Sequence, residues 1–244
     1  MTYCVGLVLD EGLVMLSDSR TNAGVDHIST FRKMTVWEQP GERVITLVSA
    51  GNLAITQSVL EMVSEGLALA PDGEPVTMMT VDSMRNAARL VGRALREVEH
   101  QDGEALRQQG MEFTASFLLG GQVKGGALRL FNIYAAGNFI EATDQTSYFQ
   151  IGETKYGKPI LDRVVDHNLS LQDGTKLALI SMASTVRSNI SVGLPLDLLA
   201  VRRDTYAVDT FRTFDENDSY FRDLQNRWGR ALRAAFQRIP PPPE

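Results

Sequence analysis

The sequence predicts a four-layer α+β fold, an α/β/β/α sandwich in which two sheets pack face to face and helices cover both outer surfaces. Three observations lead there. Apolar runs such as Tyr3 to Leu9 leave neither side for water, as a strand covered on both faces requires. The elements follow in blocks of strands, two helices, strands, two helices, strands and a last helix. Composition does not shift along residues 1–238, so one domain is expected over that span, with 239–244 as a proline-rich tail.

Taken in order, Tyr3 to Leu9 is the first strand, Asp10-Glu11-Gly12 a turn and Leu13 to Leu16 the returning strand. A three-residue loop sets Leu9 opposite Leu13, Cys4 opposite Asp18 and Thr2 opposite Arg20. Asp18 then lies beside Thr2 on one sheet face. A polar stretch from Ser17 ends in a turn at Ala23-Gly24, and a second hairpin pairs Phe31–Trp37 with Arg43–Val48. Asn52 is an N-cap for a helix through about Glu65, with Ile55, Val59, Leu60, Met62 and Val63 on its apolar side.

A Pro/Gly-interrupted linker spans 66–76, and a long helix runs from about Val81 to His100. Phe113–Leu119 and Ala127–Tyr134 are strands joined by a glycine-rich turn that carries no phosphate-loop lysine and serine pattern. Tyr148–Glu153 is a short strand, Tyr156–Val165 and Asp173–Arg187 are helices, Leu196–Val201 and Tyr206–Phe211 form the last strand pair, and Asp218–Gln237 is the closing amphipathic helix.

Bulk properties narrow the function. Of 244 residues, 43% are hydrophobic and 22% charged, and the formal net charge is −6, which argues against a nucleic-acid binder that works by releasing counterions from phosphates. Cys4 stands alone, so no intrachain disulfide is expected. His27, His100 and His167 lack ligand spacing, and neither a metal nor a cofactor is expected. With no basic n-region, no long apolar h-region and no membrane-length apolar run, the expected location is the cytoplasm.

The chemistry-bearing candidate is Thr2. Cytosolic maturation commonly removes Met1 before a small residue, which leaves a hydroxyl and a free α-amine on one residue at a strand tip, a nucleophile with its own base. Read alone, Asp18 is also a turn-capping aspartate and Lys33 a solvated strand lysine beside Arg32.

Thr2 before an apolar strand, Ser17-Asp18-Ser19-Arg20, Lys33 and the Ser49-Ala50-Gly51 turn before a helix together resemble the β-subunits of proteasomes and their bacterial relative HslV. Gln150 to Pro159 and Ser188 to Asp197 look more like the Anbu-type proteasome-like proteins of bacteria. The resemblance spans nearly the whole chain. It implies the N-terminal-nucleophile (Ntn) hydrolase sandwich, a threonine peptidase acting on peptides or unfolded proteins, and a homo-oligomeric ring or spiral, with an ATP-dependent unfoldase as a candidate partner.

The same resemblance assigns roles. Thr2 attacks the scissile carbonyl, Lys33 is a fixed cation beside it, Asp18 orients Lys33, and the Gly51 N–H faces the oxyanion. Thr21, Ser49 and Leu53 line the pocket for the side chain before the cut. Gly152-Glu153-Thr154 stands where relatives carry Gly-Ser-Gly, and Ser188 where they carry Asp. Ser188 and Ser191 are therefore the expected hydroxyls near the terminal amine; Glu153 is a candidate to compensate for the missing carboxylate, but reads first as a surface glutamate at a helix start. A small-molecule amidase on the same fold and a non-catalytic assembly subunit are the alternatives.

Overall fold

A computed structural model of the chain describes residues 1–22, 28–70 and 72–243. The chain opens with β1 (Tyr3–Val8), β2 (Gly12–Asp18), β3 (Arg20–Asn22), β4 (Ile28–Thr30), β5 (Met34–Gln39) and β6 (Arg43–Gly51). Helix α1 (Leu53–Glu65), the short β7 (Leu67–Ala68) and β8 (Pro75–Val76), and helix α2 (Met84–Gln108) follow. Then come β9 (Ala115–Val123), β10 (Arg129–Ile133), β11 (Phe139–Glu141) and β12 (Tyr148–Gly152). Helices α3 (Lys158–Val164) and α4 (Leu171–Ser188), strands β13 (Leu196–Arg202) and β14 (Thr210–Phe214), and helix α5 (Ser219–Arg238) complete it.

Two five-stranded sheets result, ordered β12-β1-β2-β13-β14 and β11-β10-β9-β6-β5, and every strand pairing in them is antiparallel. Alternation along the strands sorts their side chains into three apolar layers. Between the sheets lie Cys4, Met15, Val44, Val48, Leu118, Leu130, Ile151 and Leu199. On the far side of the first sheet, Tyr3, Val5, Leu7, Val14 and Leu16 pack with Leu177, Ala178 and Met182 of α4 and Phe221 of α5. On the far side of the second, Ile45, Leu47, Phe117 and Phe131 meet Ile55 and Val59 of α1 and Leu90, Val91 and Leu95 of α2. The four-layer α/β/β/α order expected from the sequence is the one formed.

Local signals set several boundaries. Asn52 caps α1, its side chain accepting the Ala54 N–H, and Asp218 does the same for α5 through Phe221. Ser83 caps α2, which starts later and runs further than the expected 81–100. The last strand pair is offset: Thr210–Phe214 pairs with β13, where 206–211 was expected. Strands β3, β4, β7, β8 and β11 have no counterpart in the sequence reading. The turn expected at Ala23-Gly24, and His27, lie outside the described residues.

The first hairpin corrects its expected register. Leu9 and Gly12 exchange both backbone hydrogen bonds, at 2.7 and 3.2 Å, so the loop is Asp10-Glu11 and not three residues. Cys4 therefore faces Ser17 and Val8 faces Leu13, one residue away from the pairing of Cys4 with Asp18. A two-residue loop reverses the parity and moves Asp18 off the face assigned to Thr2.

Candidate active site

Thr2 stands at the head of β1, the strand flanked by β2 on one side and β12 on the other. Both neighbours hold it. The Thr2 carbonyl accepts the Glu153 N–H at 2.6 Å, and the next N–H, that of Tyr3, donates to Asp18 Oδ1 at 3.1 Å. Gly152 makes the first contact feasible. Its φ of +82° is the left-handed region, and a Cβ there would sit 2.0 Å from the Thr2 carbonyl oxygen. Below, the buried Tyr3 hydroxyl accepts from Gln150 Nε2 at 2.6 Å and pairs with Ser181 Oγ at 3.0 Å, tying β1 to β12 and α4.

Asp18 still reaches the site, by a different route from the one the sequence implied. It ends β2, where its fully buried carboxylate takes Lys33 Nζ at 2.7 Å on the same Oδ1 that accepts Tyr3 N. Lys33, just before β5, is also buried, and Nζ donates a second bond to the Arg20 carbonyl at 2.7 Å. Burial pushes the Asp18 carboxyl above its ordinary value, while the Lys33 charge and its hydrogen bond, then the Tyr3 N–H, pull it back. Cys4 lies beneath with its thiol against the Ser49 carbonyl at 3.7 Å, and burial drives its pKa upward.

A cleft of about 540 Å³ opens in front of Thr2, lined by Met1, Arg20, Thr21, Lys33, Ser49, Ala50, Gly51, Leu53, Thr56, Thr114 and Gly152. Five of the expected site residues besides Thr2 thus meet in one place: Lys33, Gly51, Thr21, Ser49 and Leu53. Gly51, at φ +122°, ends β6 at the cleft wall. A Cβ there would lie 2.3 Å from the Thr114 carbonyl oxygen, so only glycine fits.

Ser188 and Ser191 are not among the residues that line this cleft. Ser188, exposed at the end of α4, faces a groove shared with α5 residues such as Trp228 and Leu232. The Ser191 N–H is held by Asn189 Oδ1 at 2.9 Å. Sequence reasoning misjudged the burial of one residue and missed another. Glu153 is buried and not a surface glutamate, and Asn189, also buried, donates to its Oε2 at 3.1 Å. The signal available for Glu153 was the replacement of a small turn residue by a carboxylate beside the strand paired with β1. Among the described residues, no group of three or more His, Cys, Asp or Glu is arranged to hold a metal.

The model of the proteasome subunit family matches residues 2–195. The chain belongs to the proteasome subunit family. Solved Anbu structures, similar over essentially the whole chain, place it in the Anbu branch of that family. An Anbu mutant from Hyphomicrobium sp. strain MC1 is 48% identical, with all of both chains covered and a TM-score of 0.90. Anbu from Yersinia bercovieri, described as an ancestral β-subunit, is 48% identical over 99% of both chains, with a TM-score of 0.89. A helical assembly of the Anbu complex from Pseudomonas aeruginosa is 43% identical over 99% of this chain and 98% of its own, with a TM-score of 0.90. A proteasome β-subunit from Methanothrix thermoacetophila is 24% identical over 84% of this chain and 89% of its own length.

Membership in the Anbu branch supports an Ntn-type peptidase or an assembly role. No helix among the described residues is long and apolar enough to cross a membrane.

Proposed function

We propose that this Anbu-family chain is a threonine-type Ntn peptidase that cleaves peptide amide bonds after Met1 is removed. One observation carries the reading: a threonine at the second position heads a cleft lined by the Gly51 turn and by Lys33, which is paired with the buried Asp18 behind it. In the first step the Thr2 Oγ attacks the scissile carbonyl carbon while its proton passes to the Thr2 α-amine. The Gly51 N–H stabilises the oxyanion, and the Lys33 charge lowers the cost of negative charge at Oγ. Collapse breaks the amide C–N bond, the leaving amine takes the proton, and an ester on Thr2 remains. Water then attacks that ester with the α-amine as base, releasing the acid and restoring Thr2.

Thr21, Ser49 and Leu53 shape the pocket for the side chain before the cut, joined by Thr56 and Thr114. These five are uncharged, Leu53 apolar and the other four bearing hydroxyls, which suits uncharged side chains, with Arg20 and Lys33 elsewhere on the same cleft wall. The protein works as a homo-oligomer, a reading supported by the helical assembly of its Pseudomonas aeruginosa relative, and its place of action is the cytoplasm. An ATP-dependent unfoldase is the partner that would deliver folded substrates. Residues 1–238 form the functional domain, and the tail from 239 takes no part in chemistry.

Intact-mass analysis combined with an epoxyketone probe, which needs both a hydroxyl and a free α-amine, tests the reading. Loss of Met1 and a single adduct on Thr2 is the expected result. A second reading, assembly without catalysis, draws on α5, whose Leu232 and Phe236 are exposed together with Ile239 just beyond it. Retained Met1 and no adduct would favour it.

A further inference from the structure

We propose that Glu153, clamped by Asn189, is the positioning carboxylate for the Thr2 α-amine. The proposal rests on the reading of Thr2 as the mature N-terminus. Glu153 is only 8% exposed, yet both of its carboxylate oxygens are met by neutral donors, the Lys155 N–H at 3.2 Å and Asn189 Nδ2 at 3.1 Å. Among the described residues it forms no ion pair. A buried carboxylate without a counter-charge is costly, and a cation placed beside it would offset that cost. Removal of Met1 creates an ammonium on Thr2, whose carbonyl the Glu153 N–H already grips at 2.6 Å.

The clamp is connected on both sides. Asn189 closes α4 with its N–H on the Thr185 carbonyl, and its Oδ1 accepts the Ser191 N–H at 2.9 Å. The loop that follows returns to the site: the Ile190 carbonyl accepts Arg20 Nη1 at 3.1 Å, and the Pro195 carbonyl accepts the Ser19 N–H at 2.8 Å. Glu153 is thus fixed by the same loop that steadies the end of β2.

Its charge has a chemical use. The charged side chains that line the cleft at Thr2 are Arg20 of β3 and Lys33 before β5, with Asp18 of β2 behind Lys33, while Glu153 adjoins Thr2 through the bond from its backbone N–H to the Thr2 carbonyl. Asp18 is committed to Lys33, and the remaining positive charge favours a neutral but weakly basic amine. Glu153 offsets that bias and supplies an acceptor that holds the amine in one orientation.

The test compares wild type with Glu153→Gln, which keeps shape and the backbone bond to Thr2 but removes the charge. Intact mass first establishes Met1 loss in both proteins. The rate of epoxyketone labelling is then followed between roughly pH 6 and 9, around the ordinary α-amine value. E153Q is expected to label about ten- to a hundredfold more slowly, as a mispositioned reacting group does. Its acid limb is expected to move down by roughly one pH unit, because an anion that favoured the ammonium is gone.

Labelling at the wild-type rate, or slower labelling with the acid limb unmoved and thermal stability reduced, overturns the proposal while leaving Thr2 as the nucleophile. Wild type that keeps Met1 and takes no label overturns both. Should E153Q not fold, Asn189→Ala carries the test: slower labelling at unchanged thermal stability is expected, and unchanged labelling overturns it.

Discussion

Lys33 Nζ lies 2.7 Å from Asp18 Oδ1, and both side chains are withdrawn from solvent. Removing either partner strands a charge in a poorly hydrated place, which typically costs about 3 to 5 kcal/mol. Asp18→Ala and Lys33→Met are each expected to lose stability on that scale in urea titrations. The double variant should lose clearly less than their sum, since neither charge is then left alone. If Lys33 is the fixed cation proposed for Oγ, peptidase activity should fall in each by roughly a hundredfold or more. Additive losses in the double variant would show that the pair is not coupled.

Asp18 also sets a pH dependence. Its carboxyl is held above the ordinary value of 3.8, chiefly by burial, so the folded state binds this proton more readily than the unfolded chain. Stability from this group is therefore largest below the unfolded value and declines as pH rises from there through the raised folded value. Denaturant midpoints measured across that acidic range should carry this downward slope in wild type. In Asp18→Asn the slope should be absent, and an unchanged profile would refute the assignment.

Gly51→Ala should damage the protein twice. A left-handed backbone carrying a Cβ costs on the order of 1 to 3 kcal/mol, and the Thr114 carbonyl must give way as well. The turn that would present the oxyanion donor shifts with it, so kcat should fall by roughly a hundredfold while KM changes little. A kcat loss confined to what the melting temperature explains would count against the oxyanion role.

The pocket before the cut should follow its lining. Leu53→Glu is expected to lower kcat/KM for small apolar fluorogenic peptides by about tenfold and to favour basic ones. A substrate panel assayed on both proteins decides it; an unchanged ranking would remove Leu53 from the specificity wall.

Cys4 offers a probe of how tightly the strand is held. Its thiol is buried and its pKa is raised, so a disulfide exchange reagent at mildly alkaline pH should find no reactive thiol in the native protein and one in denaturant. Rapid native reaction would mean that the sheets part readily around β1.

Much of this was legible in the sequence for physical reasons. Runs such as Tyr3 to Leu9 are apolar at both parities and need cover on both faces, which two packed sheets with outer helices supply. Asn52 and Asp218 announce helix starts because their short side chains satisfy free N–H groups. The Asp10-Glu11 loop escaped, because one residue in or out of a tight turn costs little locally yet reverses every facing along the hairpin. Asn189 and the burial of Glu153 escaped for a related reason. Both residues lie far from Thr2 in sequence, and their burial depends on how β12 and the end of α4 dock against β1. Ser188 was misplaced by the same uncertainty, since a small rotation at a helix end decides which groove a side chain enters.

Met1 is 61% exposed and forms part of the cleft mouth, while the residue behind it is pinned between two strands. Whatever is attached to the amino end must leave through the opening that a substrate would use. An affinity tag joined there would act as a plug, whereas one joined after the exposed proline run at the other end would leave the passage clear. The choice of which end to extend thus decides whether an assay sees the enzyme or its stopper.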